Sequence, residues 1–385
     1  MPRPSVMIPV NSDLLRESIL KRGSLASLES SLGVSRQAIN GWLIKNRIPP
    51  RQLSAIARQL HLEPQEMTDI TSPPKSRPYV LFRTNRNVAV AEDVKNDVLE
   101  IAEDFFALES ITELDGTPQD VTVSSESHEG MAEVILRQLK LGPDQISIPS
   151  VITTLKKMNI YVLFYDFGPT FVEAKAQAVC VRKGDKKAIF INSNEHVEDV
   201  LWRIFHELCH LFSGHTETSV TDEDFCNKTA SQVLMPDAFF AANRKDLRAL
   251  LLRDISATPF IVEDLANKFS ASFMGILLAF KKHRIFEGST ERYLWKVAHN
   301  RKKNAAKVSQ IIEPMAGQNV VSFWTTALED SNRSNFLQLQ HVIRMGLILE
   351  KVSAKRGAEL LKIDQPDIHK LAQLWTAQYE KKIGL

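Results

Sequence analysis

The spacing of apolar residues divides the chain into a helical start, a mixed middle and a helical end. Between residues 11 and 70, four short segments carry apolar residues at helical intervals, and each ends at a Gly or Pro signal. The stretch 71–78 contains three prolines and is typical of a linker. Residues 1–72 are therefore predicted to form a small helical domain.

The middle of the chain, 79–245, carries both periodicities. Helical spacing dominates at first, and three strand-like runs follow at 160–167, 176–182 and 187–192. The last two runs are joined by Lys183-Gly184-Asp185-Lys186, which predicts a hairpin. Two further helical patterns close this part, and 246–385 is almost wholly helical in pattern. The fold class predicted is α+β, with domains at 1–72, 79–245 and 246–385.

Composition narrows the class of protein. The chain has 385 residues, of which 44% are hydrophobic and 24% charged, and this is typical of globular domains. No apolar run is long enough to span a membrane, and the start lacks a secretory signal pattern. Three cysteines without regular spacing favour a reducing compartment, so a cytoplasmic protein is expected. Because the formal net charge is only +2, nucleic-acid binding would require a local basic face.

The clearest candidate chemistry is the stretch "HELCH", 206–210, inside a strongly apolar helical pattern. His206 and His210 are four residues apart, so their side chains share one helix face and suit a single zinc ion. Glu207 lies beside that face, where its carboxylate can accept a proton from water that the metal activates. Two unpaired histidines would be costly to bury, and this favours a metal site over a coincidence.

A catalytic zinc site needs a third protein ligand. His215 is close in sequence, but it does not fit the longer histidine motif, which requires Gly at 213 and His at 216. The helical pattern that follows begins with three acids, Asp222, Glu223 and Asp224, although acids at a helix start also favour the helix dipole without a metal. Spacing alone does not choose among these residues.

The order of these features resembles the ImmA/IrrE family of metallopeptidases. A strand hairpin precedes HELxH, and a helix with an acidic start then ends in Leu-Met-Pro. The matching residues are His206, Glu207, Leu208, His210, Glu223, Cys226, Asn227, Ala230, Leu234, Met235 and Pro236. The resemblance covers about residues 79–240. It implies a zincin-like fold, zinc bound by His206, His210 and Glu223, and Glu207 as the catalytic base. The three cysteines are interpreted as small packed side chains.

The N-terminal domain resembles the Cro/repressor type of helix-turn-helix. Gly33 supplies the turn and Ser35 caps the next helix, which leaves polar side chains near the start of that helix to face outward. No acid occurs between Arg36 and Arg58. DNA binding is predicted through base edges and phosphates, and protein docking is the alternative. The candidate DNA-binding residues are Arg36, Gln37, Asn40, Lys45, Arg47 and Arg51.

The expected function combines these parts. The resemblance implies an endopeptidase that cuts a repressor-type transcription factor in stress or mobile-element gene regulation. The strand that ends at Asn192 is expected to pair with an extended substrate segment. The competing hypothesis is a DNA-binding regulator, in one version antitoxin-like, whose metal site senses or stabilises. Residues 259–286 are expected to act as a scaffold that covers the protease domain, and the basic stretch 281–303 is interpreted as a solvated helix, with nucleic-acid binding as the alternative.

Overall fold

A computed structural model describes most of the chain. The described residues are 7–22, 25–69, 79–82, 92–111, 125, 127–142, 145–166, 177–183, 185–213, 220–314, 317–330, 333 and 336–383. In this part of the chain helices predominate, and the strands form one sheet of four and one of two. The α+β character expected from the sequence is compatible with this arrangement.

The N-terminal part is a bundle of short helices with a two-stranded antiparallel sheet. Its elements are β1 (Ile8–Pro9), α1 (Ser12–Arg22), α2 (Leu25–Leu32), α3 (Arg36–Ile44), β2 (Arg47–Ile48), α4 (Pro50–Leu60) and α5 (Pro64–Thr68). Gly33 has a φ of +63° between α2 and α3, a conformation that favours glycine. The Ser35 side chain accepts a hydrogen bond from the backbone of Ala38, so the predicted cap of α3 is present.

The middle part is built on a four-stranded sheet in the order β3-β5-β6-β4. Its elements are β3 (Tyr79–Phe82), α6 (Glu92–Ile111), α7 (His128–Leu139), α8 (Ile148–Lys157), β4 (Ile160–Tyr165), β5 (Ala178–Lys183), β6 (Lys186–Asn192), α9 (Val200–Ser213) and α10 (Val220–Leu234). β5 and β6 pair antiparallel, with Lys183 opposite Lys186, so the predicted hairpin is confirmed. β4 runs parallel to β6.

This strand order corrects one expectation. β6 pairs with β5 on one side and with β4 on the other, and both pairings extend to its end, where Ala178 faces Ile191 and Tyr165 faces Asn192. The backbone groups of β6 are therefore already used inside the sheet. A substrate segment cannot add to this strand, and the expectation of strand addition at Asn192 is wrong.

The remaining described part is helical, as its sequence pattern predicts. It contains α11 (Asp237–Ala242), α12 (Arg244–Arg253), α13 (Thr258–Phe269), α14 (Phe273–Lys282), α15 (Gly288–Asn304), α16 (Ser309–Ile312), α17 (Val320–Ala327), α18 (Gln338–Ile348), α19 (Ala354–Leu361) and α20 (Gln365–Ile383). None of the helices described is long and apolar enough to cross a bilayer.

The buried apolar side chains form two clusters. One cluster lies wholly in the N-terminal bundle, from Val10 to Met67. The other contains Leu20 of α1 and then extends from Val98 to Trp375, and it includes the sheet, α9 and the C-terminal helices. The division at 245/246 remains a prediction, because the described residues on its two sides share this larger core.

Candidate metal centre

Helix α9 carries the HELCH residues through the middle of the larger core. Its apolar residues recur at helical spacing, and nearly the whole helix is buried as a result. His206 is 0% exposed and His210 is 1% exposed. Polar side chains so deep in a core need partners, because an unpaired buried polar group costs free energy. The neighbouring helix α10 supplies the partner.

Two polar contacts fix α9 in position. At its start, the guanidinium of Arg203 donates to the carboxylate of Glu195 at 2.9 Å, and both side chains are buried. Along its length, the indole of Trp202 donates to Ser231 of α10 at 3.2 Å. The first contact attaches α9 to the segment before it, and the second connects α9 to α10.

His206, His210 and Glu223 meet at one point between α9 and α10. The two imidazole Nε2 atoms are 3.1 Å apart. Glu223 places Oε2 at 3.4 Å from Nε2 of His206 and Oε1 at 3.2 Å from Nε2 of His210. Around a tetrahedral zinc with bonds of 2.0–2.1 Å, neighbouring donor atoms lie about 3.3–3.4 Å apart. The spacing of these three donors therefore fits one zinc ion.

The other candidates for the third ligand do not reach this point. The carboxylate of Asp224 pairs with Lys228 at 2.7 Å, and its side chain is 62% exposed. Asp222 is not part of the donor group. His215 lies outside the described residues. Of the acids in the first turn of α10, it is therefore Glu223 that reaches the two histidines, because of the way α10 packs against α9.

The charges at this point depend on one another. Burial alone would raise the pKa of Glu223, but hydrogen bonds and positive charge from the two imidazoles lower it to about 2. Burial alone would lower the pKa of His210, yet the hydrogen bond to Glu223 and the charge of Glu207 raise it above its usual value. A bound divalent cation would supply the positive charge that protonated imidazoles otherwise supply to compensate the negative charge of these carboxylates.

Glu207 is fully buried next to the donor group but is not one of its members. One residue along a helix turns the side chain by about 100°, so Glu207 lies beside the face of His206 and His210. Burial, followed by the charge of Glu207 and a hydrogen bond with it, raises the pKa of the Cys180 thiol in β5. A carboxylate held in this position can accept a proton from a reacting molecule without occupying a metal ligand position.

The structure refines the interpretation of the cysteines. All three are buried, as expected for packed thiols. Cys226, however, also lies 3.5 Å from Nδ1 of His210. It is three residues after Glu223, so the two side chains lie on the same side of α10. The sequence shows the spacing of Glu223 and Cys226, but it cannot show that Cys226 contacts His210, because that contact depends on how α10 packs against α9.

The candidate DNA-binding residues divide into two sets. Gln37, Lys45, Arg47 and Arg51 are exposed. Asn40 is only 1% exposed, and the expectation that it faces outward is not met. The face of α3 that carries Arg36 and Asn40 packs against α6, and both side chains bond to Glu100. Glu100 lies 60 or more positions away in the sequence, so the local spacing of apolar residues could not predict that this face of α3 is buried.

Residues 153–279 match the family model described as the IrrE N-terminal-like domain, Peptidase_M78. This range contains the HELCH residues and Glu223. The match supports a zincin-like fold and a function of the metallopeptidase class for this part of the chain. Neither the curated proteins nor the solved structures gave a significant match.

Proposed function

We propose that the chain is a zinc-dependent metallo-endopeptidase of the ImmA/IrrE family. The observation that supports this most strongly is the group of three donor atoms on His206, His210 and Glu223, spaced as zinc ligands are, with the buried Glu207 beside it. Two histidines and one carboxylate leave a fourth position open, which is the arrangement of a catalytic zinc site rather than a closed structural one.

The residues divide the chemistry between them. His206, His210 and Glu223 hold the ion, which when bound supplies a Lewis acid that polarises water or the peptide carbonyl. Glu207 accepts a proton from the attacking water and then delivers it to the nitrogen of the leaving amine. Cys226 lies against the far nitrogen of His210 and favours the orientation in which Nε2 faces the metal.

The substrate that we propose is a protein, specifically a repressor-type transcription factor in the cytoplasm. The family match supports a protein substrate. The helix-turn-helix resemblance of residues 1–72 supports a role in gene regulation, and the family resemblance implies stress or mobile-element control. Cleavage of the repressor would allow transcription of the genes that it represses.

Nucleic-acid binding by the N-terminal bundle is a second proposed function. It is favoured by the exposed basic residues Lys45, Arg47 and Arg51, together with Gln37, in a segment without acids. If this function is the principal one, the chain is a regulator, in one version antitoxin-like, in which the metal senses or stabilises. The two functions share every residue of the metal centre, so only a measurement of chemistry separates them.

Capture by an inactive variant tests the proposal. Glu207→Gln retains the three ligands and the side-chain volume, but it cannot accept the proton. It should therefore bind zinc as the wild type does and retain its protein substrate uncut. Elemental analysis of the purified variant, followed by mass spectrometry of what it retains and incubation of that protein with the wild type, gives the answer. A wild type that leaves every captured protein intact would favour the regulator.

A further inference from the structure

The start of helix α3 is covered by helix α6 of the same chain. Arg36 makes a two-pronged contact with Glu100, in which Nε donates to Oε2 at 3.2 Å and Nη2 donates to Oε1 at 2.7 Å. The side-chain amide of Asn40 donates to the same carboxylate. The carboxylate thus accepts from Nε and Nη2 of Arg36 and from the amide of Asn40, donors that could otherwise bind phosphates and base edges.

The C-terminal helices hold this carboxylate from the other side. Arg356 of α19 is completely buried and donates to Oε1 of Glu100 at 2.8 Å. It also bonds to Asp104 of α6 and to Glu359, the latter at 2.6 Å. Burial alone would raise the pKa of Glu100, but the two guanidinium groups lower it to about 2. Glu100 is therefore charged at neutral pH. We call Arg36, Asn40, Glu100 and Arg356 the Glu100 cluster.

Further contacts connect the bundle to the rest of the chain near this cluster. The backbone N–H of Ser353 donates to the carbonyl of Leu20 at 2.8 Å. Lys183 in β5 bonds to Asp13 of α1 at 3.3 Å and also to Glu103 of α6. The bundle has a hydrophobic core of its own, so these polar contacts fix where the bundle sits rather than how it folds.

We propose that the Glu100 cluster is an internal docking site that keeps the side of α3 with Arg36 and Asn40 away from nucleic acid. The acidic face of α6 and a duplex bind the same donors of Arg36 and Asn40, so the two compete. Gln37, Lys45, Arg47 and Arg51 remain exposed, so the donors that the docked state withholds from a duplex are those of Arg36 and Asn40. This inference rests on the proposal that the bundle binds nucleic acid.

The size of the effect follows from the population of the released state. When only a fraction of molecules has the binding face free, the apparent dissociation constant rises by the inverse of that fraction. If docked molecules outnumber released ones by at least about ten to one, removal of the Glu100 charge tightens duplex binding by about tenfold or more.

The test compares full-length variants on a 30-base-pair duplex of random sequence at fixed salt. Glu100→Gln removes the negative charge and replaces one of the two acceptor oxygens with an NH2 donor. Glu133→Gln is the matched control, because it removes one negative charge from an exposed position of α7. Arg356→Lys keeps the net charge but cannot reach its three carboxylates together. We expect tighter binding for Glu100→Gln and, to a smaller degree, for Arg356→Lys, with no change for Glu133→Gln.

Hydrogen–deuterium exchange of Arg36–Ile44 and Glu92–Ile111 in the same proteins measures release independently of DNA. Faster exchange in both segments with tighter duplex binding supports the docking site. Unchanged exchange and unchanged binding in both cluster variants would overturn it, and so would an equal gain in affinity for Glu133→Gln. Release without any duplex binding by any of the proteins would instead show that the bundle does not bind nucleic acid.

Discussion

At the scale of single residues, the candidate metal centre consists of two histidines from one helix and one glutamate from the next. His206 and His210 are four residues apart on an apolar helix, and this spacing alone fixes their common face. Three consecutive acids could each have been the third ligand. The structure brings Glu223 to the histidines and turns Asp224 to Lys228, because α10 packs against α9 in one register only.

The first prediction concerns this third ligand. Glu223→Ala removes one of three donors and should lower zinc affinity strongly. Asp224→Ala, which breaks only an exposed pair with Lys228, should leave zinc affinity unchanged. Competition with a chromophoric chelator measures both variants. If Asp224→Ala were to empty the site and Glu223→Ala were not, the register of α10 against α9 would be incorrect.

The second prediction concerns the thiol beside His210. Groups that orient a metal-binding histidine typically contribute 10–100-fold to metal affinity, and a thiol is a weak partner. Cys226→Ala should therefore lower zinc affinity by about tenfold. Serine at this position should recover part of the loss, because its hydroxyl can still accept from Nδ1. Val342→Ala is the control, since it removes buried side-chain atoms from α18, which contributes no residue to the donor group. Equal affinities for Cys226→Ala and the wild type would contradict the role assigned to Cys226.

At the scale of elements, the periodicities predicted the hairpin and the helix of the metal centre. They could not predict that β4 runs parallel to β6, because a strand's direction in a sheet depends on the path of the chain between strands. For the same reason the sequence placed Asn192 on a strand but not in the interior of the sheet. The prediction that Asn40 faces outward was wrong for a similar reason, because α6, which is distant in sequence, covers its side chain.

The third prediction concerns the attachment of α9. Glu195 is the buried partner of Arg203, and its loss leaves a buried guanidinium without a counter-charge. Loss of one partner from a buried ion pair typically lowers the free energy of unfolding by about 3–5 kcal/mol. Glu195→Ala should show a loss of this size in urea unfolding, whereas Asp224→Ala, at an exposed pair, should change it by less than about 1 kcal/mol. Similar small losses for both variants would show that Arg203 does not depend on Glu195.

At the scale of the whole molecule, two hydrophobic cores are joined by a cluster of ion pairs and by Leu20 of α1, which packs in the larger core. The core of the N-terminal bundle could be predicted from apolar spacing within residues 10–67. The Glu100 cluster could not, because it joins Arg36, Glu100 and Arg356, which are far apart in sequence. The larger core contains residues of α9 and α10 together with residues of the C-terminal helices, and the scaffold role of 259–286 stays a prediction.

The central claim, that the metal centre cleaves peptide bonds, is tested most directly by one rate. The protein captured by Glu207→Gln is incubated with wild type and variant at equal zinc content, and its cleavage is followed over time. Removal of a general base typically lowers a rate by 10²–10⁴-fold. We expect a loss within or above this range for Glu207→Gln, with zinc retained. Cleavage by the variant at the wild-type rate would contradict the assignment of Glu207 and, with it, the proposed mechanism.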